Sequence, residues 1–248
     1  MSITSEEELQ GMRAAGVVVA KMLLAMKQAA RRGVTTGELD AIGANVMREE
    51  GAKSAPVLVY GFPGSVCISV NDEAVHGIPG NRPLREGDLL KLDVTVEKDG
   101  YMADAAITVA VGETSSVARR LAHCAEKAFQ KALGVARAGQ PVREIGRVVE
   151  EEVHRAGFSV IRDLCGHGIG RTIHEKPSVP NYPDPNSNEL LTEGLVITVE
   201  PIISAGTGDV FLGQDGWTVR TRDRKLSAHH EHTIMITRSE PVILTSAA

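Results

Sequence analysis

Two histidines, His167 and His174, stand in the run Gly166-His167-Gly168-Ile169-Gly170-Arg171-Thr172-Ile173-His174-Glu175. A separation of seven would stack both on one helix face, but three glycines in five residues oppose a helix. On a strand the odd separation sends them to opposite faces. The alternative is a tight turn that brings backbone close to an imidazole or a ligand. Alone, the segment serves equally as a solvent-facing glycine loop or as a binding element.

Four acids give these histidines something to work with. Asp93 follows the apolar run LLKL and Glu200 follows LVITV. A carboxylate among Leu, Val and Ile is costly unless something compensates it. Asp99-Gly100 is a two-residue hairpin signal. It pairs Lys98 with Tyr101 and sets Asp93 opposite Ala106, with Asp104 diagonal to it on the same face. Two carboxylates so placed repel each other, and a cation between them removes the conflict. The segment AHHEHTIMI reads as a strand with His229, Glu231 and Thr233 on one face and His230 and His232 on the other. Paired into the same sheet, Glu231 joins Glu200 as Asp104 joins Asp93. Thr95 and Thr198 share faces with Asp93 and Glu200 and are placed to hydrogen-bond the acids. With His167 the set Asp93, Asp104, His167, Glu200 and Glu231 is rich in oxygen and free of thiolate. It suits Mn(II), Fe(II), Co(II) or Zn(II) rather than a structural cysteine site. Four carboxylates exceed the needs of one ion and fit two, roughly 3.5–4 Å apart.

The rest of the chain must position these groups. Its 248 residues carry no obvious linker, so one domain is expected. Apolar residues make up 42% and aromatics only 3%, which leaves packing to aliphatic side chains and alanine. The net charge of −5, without a basic run, argues against a nucleic-acid surface. Residues 1–9 are acidic rather than basic and apolar, unlike a secretory signal. No apolar run is expected to reach the length of a membrane span. Cys67, Cys124 and Cys165 are scattered, with neither metal-type pair spacing nor a disulfide framework, which fits a reducing cytoplasm.

Helices are expected after the capping boxes Ser5–Glu8 and Thr35–Glu38, the second ending at Gly51. Two more are expected over 116–136 and from Pro141 to about Arg155, followed by Gly157. These four look like two copies of one pair. An offset of 106 carries Gly33 onto Gly139 and Gly51 onto Gly157, and an offset of 107 carries LREGDLLKLD onto LTEGLVITVE. HGIP from His76 likewise echoes HGIG from His167. The reading is a single catalytic domain over 1–248, with an internal repeat of about 1–112 and 113–248 and a site between the halves.

In the stretches SVCISVNDEAVHGIP, LDVTVEKDGYMAD, CGHGIGRTIHEKP, TVEP, DGWTVRTRD and EHTIMIT the chain resembles the type I methionine aminopeptidases, in their short form. That resemblance implies an α+β pita-bread (creatinase/aminopeptidase-like) fold, two pseudo-symmetric halves with a curved antiparallel sheet covered by helices. It implies a hydrolase that removes N-terminal methionine from nascent proteins and peptides, with a small second residue preferred and a metal-bridging hydroxide as attacking group. Asp93, Asp104, His167, Glu200 and Glu231 become ligands of two divalent ions (Co, Mn, Fe or Zn). His76, His174 and Glu200 become catalytic, and His76, His174, Phe62, Cys67 and Trp217 bind substrate. A monovalent cation is implied near Asn71 and Ser227. Also implied are a cytoplasmic monomer, a transient ribosome contact, and no nucleic-acid or membrane partner. The chain departs from the family pattern at Pro56, Val59, Val75 and Ile173 around the methionine pocket. It departs again at His229, where a glutamine is common.

Overall fold

The computed structural model describes residues 1–246. Its helices are α1 (Glu6–Ala29), α2 (Thr36–Glu49), α3 (Ala55–Tyr60), α4 (Ser116–Leu133) and α5 (Arg143–Arg155). Its strands in the first half are β1 (Lys53–Ser54), β2 (Cys67–Val70), β3 (Glu73–Val75), β4 (Leu89–Lys98) and β5 (Tyr101–Ala110). Then come β6 (Ser159–Val160), β7 (Cys165–Gly168), β8 (Glu175–Pro180), β9 (Val196–Val199) and β10 (Ile202–Ser204). The last five are β11 (Val210–Leu212), β12 (Val219–Thr221), β13 (Ser227–His229), β14 (Glu231–Met235) and β15 (Val242–Ile243).

Nine strands form one antiparallel sheet along β1-β4-β5-β14-β9-β7-β8, with β2 beside β4 and β15 beside β14. The period-2 alternation of its central strands divides the molecule into two faces. Leu90, Leu92, Val94 and Val96 of β4 and Ala103 and Ala105 of β5 pack with Met12, Val19, Met22 and Met26 of α1 and Leu39 of α2. In the other half, Ile197 and Val199 of β9 and Ile234 of β14 pack with Leu121, Ala128 and Phe129 of α4 and Val149 and Val153 of α5. The opposite face carries Asp93, Thr95, Asp104, Thr198, Glu231 and Thr233. Aliphatic chains and alanine fill both cores, as the scarcity of aromatics requires.

Local signals account for most helix ends. The Ser5 hydroxyl accepts from the Glu8 N–H, but Glu8 reaches back to the N–H of Thr4, so the expected box is shifted by one residue. Thr35 and Glu38 form the complete capping box, worth about 1 kcal/mol for the hydroxyl alone. Pro141 does not open α5; it bridges to Leu190, and the helix begins two residues later. The six-residue α3 was not expected. Ser54 caps it, Pro56 sits in its first turn, and Gly61 ends it at φ 68°. Contrary to the sequence expectation, α1 is long and apolar enough to cross a membrane by composition. Its apolar residues lie against β4, β5 and α2, which is where that hydrophobicity is spent. Positions related by the offsets 106 and 107 share conformations: Gly33 and Gly139 have φ 92° and 90°, and Gly87 and Gly194 have φ 85° and 82°.

Candidate active site

Register brings the acids together. Asp93 pairs with Ala106 across β4–β5, and Glu231 pairs with the same Ala106 across β5–β14. The two acids therefore flank one methyl group, with Cα atoms two strand spacings, about 10 Å, apart. Asp104 is opposite Thr95. There the β5–β14 ladder gives way to a side chain. The Thr233 hydroxyl accepts from the Asp104 N–H at 2.9 Å and donates to its carbonyl at 2.8 Å. Glu200 follows β9 directly, beside β14.

The glycine-rich run is a hairpin, β7–turn–β8, with a bulge between His167 and Gly168. Gly166 lets β7 lie against β9, since a Cβ there would stand 2.5 Å from the Thr198 carbonyl oxygen. The His167 N–H donates to Thr198 Oγ1 at 3.0 Å, and that hydroxyl donates to Glu200 Oε1 at 3.1 Å. His167 Nδ1 lies 2.9 Å from the Gly168 carbonyl, which fixes the proton on Nδ1 and leaves Nε2 3.7 Å from Glu200 Oε1 with a free lone pair. Thr198 thus supports Glu200 as expected, whereas Thr95 bonds Asp104 rather than Asp93.

Two sets of ligand atoms, Asp104–His167–Glu231 and Glu200–His229–Glu231, each lie within 4.8 Å of one another and share Glu231. Asp93 adjoins Asp104. Asp104 Oδ1 and Glu231 Oε1 are buried without a hydrogen-bond partner. Burial first, then mutual repulsion, holds the carboxyls of Asp104, Glu200 and Glu231 well above the usual range, and burial raises Asp93. Burial next to His174 pushes His167 down to about 4, so it is neutral near pH 7. Crowded acids, orphaned oxygens and a neutral imidazole are the environment that divalent cations satisfy.

These groups line one cavity of about 530 Å³. His76, at φ 56°, and His174 project into it, and desolvation lowers both imidazoles. His174 stacks near His167, with ring centroids 4.2 Å apart. Phe62 and Trp217 meet edge to face at 5.2 Å and form the apolar wall with Cys67. Burial and the nearby Asp93 and Asp104 push the Cys67 thiol well up, so that wall is uncharged. Pro56, Val75 and Ile173 line the cavity; Val59 does not, and is exposed on α3. Tyr60, at the end of that unexpected helix, places its hydroxyl 2.5 Å from His174 Nδ1. Only the Ser54-x-Pro56 cap hinted at this in the sequence.

The expected monovalent cation near Asn71 and Ser227 meets a competitor. Lys91 is fully buried, and its Nζ donates to the Asn71 carbonyl at 2.8 Å. The Ser227 N–H and hydroxyl donate to the same oxygen, each at 3.0 Å. An ammonium therefore stands where that cation was expected.

The model for metallopeptidase family M24 matches residues 10–238. The chain belongs to this family. It is 45% identical over 247 residues to methionine aminopeptidase 2 of Bacillus subtilis, covering 99% of each chain. A solved methionine aminopeptidase of Rickettsia prowazekii superposes with a TM-score of 0.95 at 39% identity, over 99% of this chain and all of that one. A prolidase of Pyrococcus horikoshii shares the fold alone, at TM-score 0.79 and 22% identity, and this chain covers 64% of it. The architecture is the α+β pita-bread fold, the protein is a metal-dependent peptidase, and its acid cluster fits the divalent ions that an M24 enzyme uses.

Proposed function

We propose that the chain removes the N-terminal methionine of peptides and nascent proteins, with a small second residue preferred. The observation that carries this reading is the convergence of Asp93, Asp104, His167, Glu200 and Glu231 beside an uncharged apolar wall in one cavity. These five residues would hold two divalent ions; their donor chemistry suits Co, Mn, Fe or Zn. When bound, such ions supply Lewis acidity and an acidified water. The chain's own groups do the rest. Glu200, steadied by Thr198, takes a proton from the attacking water and passes it to the leaving amine. His174, with Tyr60 on its Nδ1, donates from its other nitrogen to the oxygen that gains charge. His76 faces the scissile amide and assists its departure. The methionine side chain lies against Phe62, Cys67 and Trp217, where sulfur–aromatic contact favours it.

The same reading takes 1–248 as one catalytic domain of two related halves, acting as a cytoplasmic monomer that meets nascent chains in transient contact with the ribosome.

The test is direct. Chelator-stripped protein is reloaded with Mn, Co, Fe or Zn and offered Met-Ala-Ser and an Xaa-Pro peptide. Metal-dependent release of methionine supports the proposal; cleavage confined to the proline peptide refutes it. Glu200→Gln is expected to abolish turnover while thermal unfolding stays cooperative, and retained turnover would remove Glu200 from the proton path.

A further inference from the structure

We infer that His229 supplies a second imidazole nitrogen to the metal pair, as a sixth protein ligand beside the five of the proposed site. The inference rests on the metal-dependent reading above and goes beyond it at one residue.

His229 is 2% exposed, and neither of its ring nitrogens has a hydrogen-bond partner among the described residues. A buried imidazole with both nitrogens unsatisfied is costly and calls for a missing partner. Its Nε2 lies 3.3 Å from Glu231 Oε2 and 3.6 Å from Glu200 Oε2. The three ligand atoms form one of the two sets compact enough to surround an ion, and the other is Asp104–His167–Glu231. Glu231 belongs to both sets. Two ions joined by Glu231 would therefore each find an imidazole, His167 on one side and His229 on the other.

The backbone aims this ring. His229 ends β13, pairs with Ile202, and its N–H accepts no freedom: it donates to Thr108 Oγ1 at 2.9 Å, while its carbonyl accepts from the same hydroxyl at 2.7 Å. The chain then steps at His230 from the β10–β13 sheet into β14. That step turns His229 and Glu231 toward one point.

A second nitrogen ligand moves the donor set away from the all-oxygen preference of Mn(II), toward Zn(II), Co(II) and Fe(II). The test uses the full chain, stripped and loaded with two equivalents of Co(II), and needs no turnover. X-ray absorption is expected to count two imidazoles per metal pair in the wild type. His229→Gln is expected to count one, with the Zn-over-Mn affinity ratio reduced about tenfold or more in competition titrations. One imidazole per pair in the wild type would overturn the inference and leave the proposed function standing. A count of two that survives His229→Gln would also overturn it. Failure of the wild type to take up Co(II) would overturn both. Because the wild-type count decides by itself, the test holds even if the variant folds poorly.

Discussion

Gly166→Ala tests whether the packing of β7 on β9 sets the site. The new Cβ would stand 2.5 Å from the Thr198 carbonyl oxygen and 3.2 Å from its Oγ1. Ordinary contact begins near 3.4 Å, so the strands must part by roughly 0.9 Å. Thr198 Oγ1 holds both the His167 N–H and Glu200 Oε1, so one displacement moves two functional groups. Overpacking of this kind costs about 1–3 kcal/mol, offset by about 0.4–1 kcal/mol from stiffening the unfolded chain. At about 2–4 °C per kcal/mol for a domain of this size, Tm should fall by about 5 °C. Misplacing reacting groups by nearly 1 Å should lower kcat/KM by about 100-fold, far beyond what the stability loss alone would do at 25 °C. Methionine release under saturating metal and differential scanning fluorimetry read the two effects. Gly80→Ala is the control, because its Cβ would meet nothing within 4 Å. Wild-type rate and Tm in Gly166→Ala would refute the idea that this contact positions His167 and Glu200.

Other perturbations probe separate parts of the site. Tyr60→Phe removes the bond to His174 Nδ1 and should lower kcat about tenfold, the kinetic equivalent of about 1.4 kcal/mol, with Tm unchanged; an unaltered kcat would free His174 from Tyr60. Metal loading near pH 7 should release protons from Asp104, Glu200 and Glu231, seen as a buffer-dependent heat in calorimetry. Their folded pKa values lie above the unfolded ones. The chelated protein should therefore lose stability as pH rises from the ordinary carboxylate range, while the loaded protein is spared. Lys91 is pushed down from 10.5 to about 7 by burial. Between those values the unfolded chain holds a proton that the fold lacks, so stability should rise by up to about 1.4 kcal/mol per pH unit. Lys91→Met should flatten that rise in denaturation curves, and an identical slope in the variant would contradict the burial of its amine.

What could be read in advance was what short-range chemistry dictates. Asp99-Gly100 fixed the hairpin, and with it the pairing of Asp93 and Asp104 across β4 and β5. Period-2 alternation put Glu231 on the correct face. Tyr60 was missed because a six-residue helix has no periodicity to detect. The change of sheet at His230 was missed because an apolar, histidine-rich run looks like one continuous strand; the break depends on β10 and β9 being available as separate partners. Lys91 was invisible for a similar reason. A lysine in an apolar strand gives no sign of whether its ammonium reaches water or a carbonyl such as that of Asn71.

Ala106 deserves the last word on how the cavity floor is made. Its methyl lies between Asp93 and Glu231, the smallest side chain that still continues a strand well. Since hydrogen-bonded register fixes the flanking backbones, the gap above this methyl cannot widen or narrow by loop movement. Ion choice in this enzyme is thereby left to the identity of the surrounding side chains, and a bulkier neighbour at 106 would fill the very volume those side chains are arranged to enclose.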